Sequence, residues 1–500
     1  MCLDFLLLIL FCGITALTAS LDLDIAINSN VPIATVDENF LSLTLDAHEI
    51  ITNFSQIQFT SDKLIALSKG LGSNVHLRFG GSTADRIRFK SGSIGTGGYD
   101  EDDLGDGYDL GNHDGGYVLT GKELDSMCEY VRKLGWTFVF GLNVMIRKPD
   151  GSWDPKNAIK LIKYLESKKL PAMHYELGNE PDLLPYYLNK TIPPQQLADD
   201  FKSLHAILQD LTSGKSKLIG PDEGPFIAPG SYFEKFLSRV SGLSLDVISF
   251  HHYYSSSQHI SVRNFTDVLY LDSFLDHAMQ ALHVVKKTLP HKPVWIGETS
   301  STFGHGSLIG QSYAASFLWL DKLGLAAQMN ISLVARQTLK GPQYSLLDAD
   351  YNPTPDYWVS LVHKKIMGTR VLDISGALTY GRKMRVYAHC VRESFKEVDA
   401  RVALMFLNID VRESVRLWTP ECRRSGGSVR GNIYLFRPVN GRLDDKLVTL
   451  NGKILRMIDD NTLPELVPTA VKCPYVIPPL THGFLLLKND FDTPLNKFCV

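Results

Sequence analysis

The chain has little excess charge of either sign. Lys and Arg total 51 against 54 Asp and Glu, a formal net charge of -3 over 500 residues. No global field gathers polyanions, so nucleic acid is not an expected partner. Long apolar runs are also scarce. Residues 6–17 form the one such run, and small residues follow at Thr18, Ala19 and Ser20. This reads as a secretory signal peptide cleaved near Ser20, although its first residues carry no Lys or Arg. An uncleaved anchor is the competing reading, for which the run is short. No other stretch is long enough to span a bilayer. The mature chain, residues 21 onward, is therefore expected to be soluble and secreted, with the lysosome as a second destination. Cys-x-x-Cys pairs and His-rich spacings are missing, so neither a metal nor a cofactor is expected.

Cysteine is sparse too. Of seven, Cys2 and Cys12 fall in the leader. Cys128, Cys390, Cys422, Cys473 and Cys499 remain, and four of these cluster in the last quarter of the chain. Pairing among those four suits an oxidising compartment, and Cys128 is left as a buried free thiol. Asn-x-Ser/Thr sequons at Asn53, Asn189, Asn264 and Asn330 agree with a secretory route and are the candidate glycosylation sites.

With 44% hydrophobic residues, the chain can bury a large core. Eight short apolar runs occupy residues 41–46, 75–80, 137–143, 173–180, 217–221, 247–254, 293–299 and 332–337. Amphipathic segments lie between them, at 124–134, 158–168, 198–211, 267–288 and 313–323. Strand runs alternating with helical periods imply a parallel sheet, and eight repeats imply an α/β fold of the (β/α)8 TIM-barrel type. A doubly wound open sheet fits less well, because no Gly-rich turn follows any run. Beyond residue 371 the runs turn strand-like with frequent turn residues and no long helix, which reads as a C-terminal β-sandwich over 371–500. Residues 21–39 alternate like a strand and are placed in that sandwich, leaving 40–370 for the barrel. Residues 91–116 are acidic and Gly-rich, cannot bury a core, and read as a loop. A calcium loop is the other reading, but the spacing does not match an EF-hand.

Two runs end on a glutamate, Tyr175-Glu176-Leu177-Gly178-Asn179-Glu180-Pro181 and Val294-Trp295-Ile296-Gly297-Glu298-Thr299-Ser300. In a barrel, chemistry gathers at the C-terminal strand ends. Two carboxyls roughly 5 Å apart there are the equipment of a retaining glycosidase, one protonated at the leaving oxygen and the other the ionised nucleophile. Glu180 is assigned as acid/base and Glu298 as nucleophile. Asn179 is placed to meet a sugar 2-hydroxyl. A strand that runs on regularly puts Glu176 and Glu180 on one face, and Glu176 is read as a supporting residue deeper in the barrel. Arg336 is read as supporting the charge of the nucleophile, and Gln337 as reaching the sugar. His251 reads equally as a site residue and as a structural histidine. Tyr253, Tyr344 and Phe303 read either as cleft lining or as core.

At these residues the chain resembles glycoside hydrolase family 79, in particular its endo-β-glucuronidases. The resemblance runs through nearly the whole mature chain. It rests on Leu77-Arg78-Phe79-Gly80-Gly81, Phe140-Gly141-Leu142-Asn143, residues 176–181, His251-His252-Tyr253-Tyr254, Gly297-Glu298-Thr299-Ser300-Ser301 and residues 319–325, 355–358 and 385–390. It implies a barrel with a C-terminal β-sandwich, a retaining mechanism, and Glu180 and Glu298 in the roles given above. It implies Asp46, Ser82, Asn179, His251, Phe303, Gly304 and Tyr344 as substrate contacts and Cys390–Cys499 as a sandwich disulfide. Cys422–Cys473 would be a local addition.

The implied reaction is hydrolysis of internal β-glucuronidic bonds in heparan sulfate, a glycosaminoglycan. Three departures bear on it. Basic clusters that flank the cleft in such enzymes are missing. After Gly220-Pro221-Asp222 the chain reads Glu223-Gly224-Pro225-Phe226-Ile227-Ala228-Pro229-Gly230, and before Leu124 it reads Gly111-Asn112-His113-Asp114-Gly115-Gly116-Tyr117. Each missing cation gives up a charge-assisted contact to sulfate. The family's excised linker is replaced by the short acidic loop, so activation by two cuts is not implied, and one cut or none is equally compatible. Residues 100–114 are expected to hang near the cleft and repel sulfated chains. Hyaluronan or another glucuronide is the alternative substrate, and a non-catalytic glycan-binding role is the alternative of another class.

Overall fold

A computed structural model describes residues 20–28, 31–53, 57–92, 116–240, 242–304, 307–341, 343–375, 383–395, 400–427, 429–488 and 499. The leader before Ser20, the acidic loop over 93–115 and the side chain of Asn53 lie outside the described residues.

Eight parallel strands close into a barrel in chain order. They are β1 (Leu41–Asp46), β2 (His76–Gly80), β3 (Thr137–Leu142), β4 (Met173–Leu177), β5 (Leu218–Glu223), β6 (Val247–Ser256), β7 (Val294–Phe303) and β8 (Leu333–Arg336). Period-two alternation divides each strand. Leu41, Leu43 and Leu45 of β1 and Leu77 and Phe79 of β2 join the core shared with the surrounding helices. Val139, Ile219, Val247, Trp295, Leu333 and Ala335 form a separate small cluster from the opposite parity, a plug inside the barrel. Inward positions nearer the strand ends are polar, with Thr44, Arg78, Glu176 and His251 all buried. Polar side chains are thus concentrated at the barrel's C-terminal end, where a site can open.

Helices between the strands complete the repeats. Gly121–Leu134 opens on a reciprocal capping box, Thr120 accepting from the Glu123 amide while Glu123 accepts from the Thr120 amide, and it ends on Gly135 at φ 68°. Val268–Thr288 and Ala315–Gln328 follow β6 and β7. The second of these is buried on nearly every face, because β strands from the C-terminal region pack against its outer side. Arg385 on strand Met384–Val391 bridges this junction. It pairs with Asp321 and with Asp272 at 2.8 Å each, and Tyr387 adds a 2.6 Å hydrogen bond to Asp321.

The C-terminal region is antiparallel β structure. Met367–Ser375, Met384–Val391, Ala400–Asn408, Thr481–Lys488 and Arg430–Pro438 are neighbours in one sheet. Ser20–Asp24 runs parallel to Ser414–Trp418, and Ala26–Asn28 pairs antiparallel with Met367–Ser375. Residues 20–28 therefore join the β region formed by the C-terminal part of the chain. Cys390 bonds Cys499 and Cys422 bonds Cys473, while Cys128 is free and buried. No helix among the described residues is long and apolar enough to cross a membrane.

Candidate active site

Two irregularities in the strands place the carboxylates. β4 ends at Leu177, not at Glu180. Gly178 then turns at φ 80°, and Glu180 itself sits at φ 44°, a left-handed conformation uncommon for a residue with a Cβ. The Glu180 amide donates to the Asp222 carbonyl at 2.9 Å, which holds this turn against β5. The strand does not run regularly from Glu176 to Glu180, so a shared strand face is not what relates them. Glu176 stays inside the barrel, while Glu180 reaches the cleft from a turn.

β7, in contrast, continues past Glu298 to Phe303. In its pairing with β6, Phe250 faces Ile296 but His251 faces Glu298, so Gly297 is an extra residue, a β-bulge. Ile296 faces the helices. Without the bulge Glu298 would share that parity and point away from the site. Only glycine fits at 297, since a Cβ there would stand 2.2 Å from Ser249 Oγ and 2.9 Å from Asp222.

The carboxylate oxygens of Glu180 and Glu298 and a ring nitrogen of His251 converge within 4.8 Å of one another. That approach is closer than the ~6.5–9.5 Å by which two carboxyls stand apart when a water sits between them. Such a trio of ligands also suits a divalent cation. The residues face a cleft of about 550 Å³.

Charge around the pair is arranged by two cations. Arg78 donates from Nε to Glu176 and from Nη1 to Glu298, each at 2.7 Å, and from Nη2 to Asn179 Oδ1 at 3.0 Å. Its guanidinium also lies 3.6 Å from Asp222. Burial works against that charge, but the surrounding carboxylates outweigh it and hold Arg78 firmly protonated. His251 lies 3.1 Å from Glu180 through Nδ1 and 3.5 Å from Asp222 through Nε2. Burial would lower it, yet Glu298, Asp222 and Glu180 together lift it to about 10. Burial raises Glu180, and the His251 contact partly offsets this. Burial likewise raises Glu176 to about 8 against the pull of Arg78. Asp222 moves the other way: Arg78 and His251 overcome its burial and hold it at about 2. Tyr253 donates to Glu298 Oε1 at 2.6 Å. One glutamate thus has both its oxygens engaged by donors, and the other is biased toward keeping a proton.

Of the residues read from the sequence, Asp46, Ser82, His251, Phe303, Gly304, Gln337 and Tyr344 line the same cleft as the glutamates. Burial, with help from the charge of Glu298, lifts Asp46 to about 7, and Gln337 donates to it at 2.7 Å. Asn179 stands behind this wall, its Oδ1 taken by Arg78. Arg336 is a correction. It is fully buried and pairs with Asp356 at 2.6 Å, and the cation on Glu298 is Arg78. The clue was available: Arg78 sits between Leu77 and Phe79, a charge at inward parity on a strand that is buried throughout. Asp222 was missed as well, and nothing in its Gly-Pro-Asp context marks it. Asn189, Asn264 and Asn330 are exposed.

Residues 22–324 match the glycosyl hydrolase family 79 N-terminal domain. Heparanase from Mus musculus is 32% identical, with 95% of each chain aligned. Inactive heparanase-2 from Mus musculus is 31% identical over 93% of this chain and 88% of its own. Hyaluronoglucuronidase from Hirudo nipponia is 30% identical over 94% and 98%. Among solved structures, a 4-O-α-L-rhamnosyl-β-D-glucuronidase from Fusarium oxysporum aligns with a TM-score of 0.64, at 14% identity, over 93% of this chain and 100% of its own. That likeness carries the fold alone.

Proposed function

Because the chain belongs to glycosyl hydrolase family 79, we propose that it is a retaining endo-β-glucuronidase acting on glucuronate-containing glycosaminoglycans, with heparan sulfate as the leading substrate. The observation that carries this reading is the meeting of Glu180 and Glu298 within 4.8 Å at the mouth of the barrel. In this mechanism Glu180 protonates the departing glycosidic oxygen while Glu298 attacks the anomeric carbon. Arg78 and Tyr253 each hold one carboxylate oxygen of Glu298 and so orient it for attack. Once the glycosyl-enzyme has formed, Glu180 takes a proton from the incoming water and attack on the opposite face restores the β configuration. Secretion, with lysosomal delivery as the other route, suits a protein that meets matrix glycans and carries two disulfides.

Hyaluronan or another unsulfated glucuronide is a second reading. It is favoured by one observation: no Lys or Arg is among the described residues lining the cleft. Turnover of an aryl β-glucuronide tests the catalytic reading, with the anomer of the first product read by NMR. Release of the β-anomer by wild type, lost in Glu298→Ala, is the expected result. No turnover by wild type would leave a glycan-binding role, as the similarity to an inactive relative allows, and an α-anomer would exclude the retaining mechanism.

A further inference from the structure

Next to the cleft, an exposed aromatic pair takes no part in the chemistry above. Tyr186 is 76% exposed and Phe226 54% exposed, with ring centroids 6.1 Å apart. Large apolar rings left in water beside a site call for a reason. Phe226 and its neighbour Pro225 form part of the cleft wall, on the loop between β5 and the helix Tyr232–Leu237. Tyr186 lies in the short turn Leu184–Tyr187 that follows Glu180.

The backbone segments that carry both rings are tied to the catalytic framework. The Tyr187 hydroxyl donates to the carbonyls of Asn179 at 2.7 Å and Glu180 at 3.2 Å. The Asp182 carboxylate accepts from the amides of Gly224 at 2.8 Å and Phe226 at 3.3 Å. The backbone of the pair is thus tied to the turn that carries Glu180 before any ligand arrives, which reduces the ordering cost of binding.

We propose that Tyr186 and Phe226 form a sugar-stacking platform that takes an unsulfated hexuronate–hexosamine unit of the polymer, next to the bond being cut. This rests on the glucuronidase reading above and narrows its substrate class. A β-linked pyranose with equatorial substituents presents axial C–H groups on its faces. Those carry slight positive charge and match the negative face of an aromatic ring. A sulfate there would lose hydration and find no Lys or Arg among the described lining residues, and Arg86, beside Tyr186, is already engaged by the Tyr187 carbonyl at 3.1 Å. The Asp182 carboxyl, which accepts from the Gly224 and Phe226 amides, offers a sulfate no donor. The platform therefore reads the bare face of the sugar, whether the unit comes from hyaluronan or from an unsulfated stretch of heparan sulfate.

The test is calorimetric binding of three hexasaccharides to the Glu298→Gln protein, with and without Phe226→Ala or Tyr186→Ala. One ligand is cut from hyaluronan, one from the unsulfated heparan backbone, and one from heparin. Wild-type turnover of an aryl β-glucuronide is measured alongside, and its absence would fail the parent reading while the binding result still judges the platform. The expected result is a Kd rise of about threefold to tenfold for at least one unsulfated ligand in each Ala variant. Phe226→Tyr should restore binding, and which unsulfated ligand responds identifies the source. Unchanged Kd in both Ala variants, or tighter binding of the heparin fragment than of either unsulfated one, would overturn the proposal.

Discussion

Arg78 donates to Glu298 at 2.7 Å from inside the barrel, where its side chain is 3% exposed. The same guanidinium holds Glu176 at 2.7 Å. One buried cation therefore ties a carboxylate of the barrel interior to a carboxylate of the cleft. Gly80 makes room for it, since a Cβ at that position would stand 2.5 Å from the guanidinium carbon. Removing one partner of a buried pair leaves the other unpaired, typically at a cost of about 3–5 kcal/mol.

Arg78→Met is thus expected to lose stability of that order and to lower kcat/KM for an aryl β-glucuronide by at least about a hundredfold. Arg78→Lys separates the two effects. A single ammonium keeps a charge but cannot span both carboxylates, so stability should recover in part and activity should not. Urea unfolding beside steady-state kinetics checks this, and full activity in Arg78→Lys would remove the bridging role.

His251 supplies a prediction about pH. Its imidazolium, held at about 10, lowers the affinity of Glu180 for a proton through their 3.1 Å contact. The proposed acid must be protonated to act, so its pKa sets the alkaline limb of kcat/KM. His251→Asn deletes the positive charge, and Glu180 should then hold its proton to higher pH. The alkaline limb is expected to move up by about one unit or more. A pH profile on an aryl glucuronide reads this directly, and a limb that stays fixed or moves down would show that His251 does not tune Glu180.

Glu176 supplies a prediction about stability. Burial raises it from 4.5 to about 8 despite Arg78. Between those values the folded protein holds a proton that the unfolded chain has released. The associated stability is present below about pH 4.5 and is lost as pH rises through about 8. Glu176→Gln has no proton to lose. Its stability relative to wild type should therefore improve as pH rises through that window, by on the order of a few kcal/mol. Paired melts at pH 4.5, 6 and 8 measure the trend, and a difference that does not vary with pH would mean that Glu176 is ionised throughout.

The barrel was legible because each strand announces itself locally. Leu41, Leu43 and Leu45 alternate with Ser42, Thr44 and Asp46, and that pattern needs no knowledge of the partners. Both cleft glutamates were legible because they stand out at the ends of apolar runs. The way they enter the cleft was not. An uninterrupted alternation through β7 turns Glu298 toward the helices, and only pairing with β6 shows that Gly297 adds a residue. The exchange of Arg336 for Arg78 has a similar cause. Arg336 is adjacent in sequence to a cleft residue, but Asp356 on the following helix Pro355–Ile366 claims it. Which buried cation meets which carboxylate is set by contacts between strands distant in sequence, and no local pattern records them.

The two disulfides yield a last prediction, from the lengths of chain they close. Cys390–Cys499 spans 109 residues and Cys422–Cys473 spans 51. Their Cα separations, 5.3 and 6.0 Å, fall in the range that needs no backbone movement. In the chain-entropy account a disulfide stabilises by restricting the unfolded ensemble, by about 2–4 kcal/mol in typical cases, and each doubling of the loop adds about 0.6 kcal/mol. Cys499→Ala should therefore cost slightly more than Cys473→Ala. Both cysteines belong to the core on one face of the β region, while its other face joins the core between barrel and helices. Neither variant should change kcat/KM for a small aryl glucuronide at 25 °C, where the barrel remains folded. Denaturant melts with and without reductant, alongside that assay, check both halves of the argument. A loss of activity at a temperature where both variants remain folded would mean that the core holding these disulfides is coupled to the cleft through the face the β region shares with the barrel's helices.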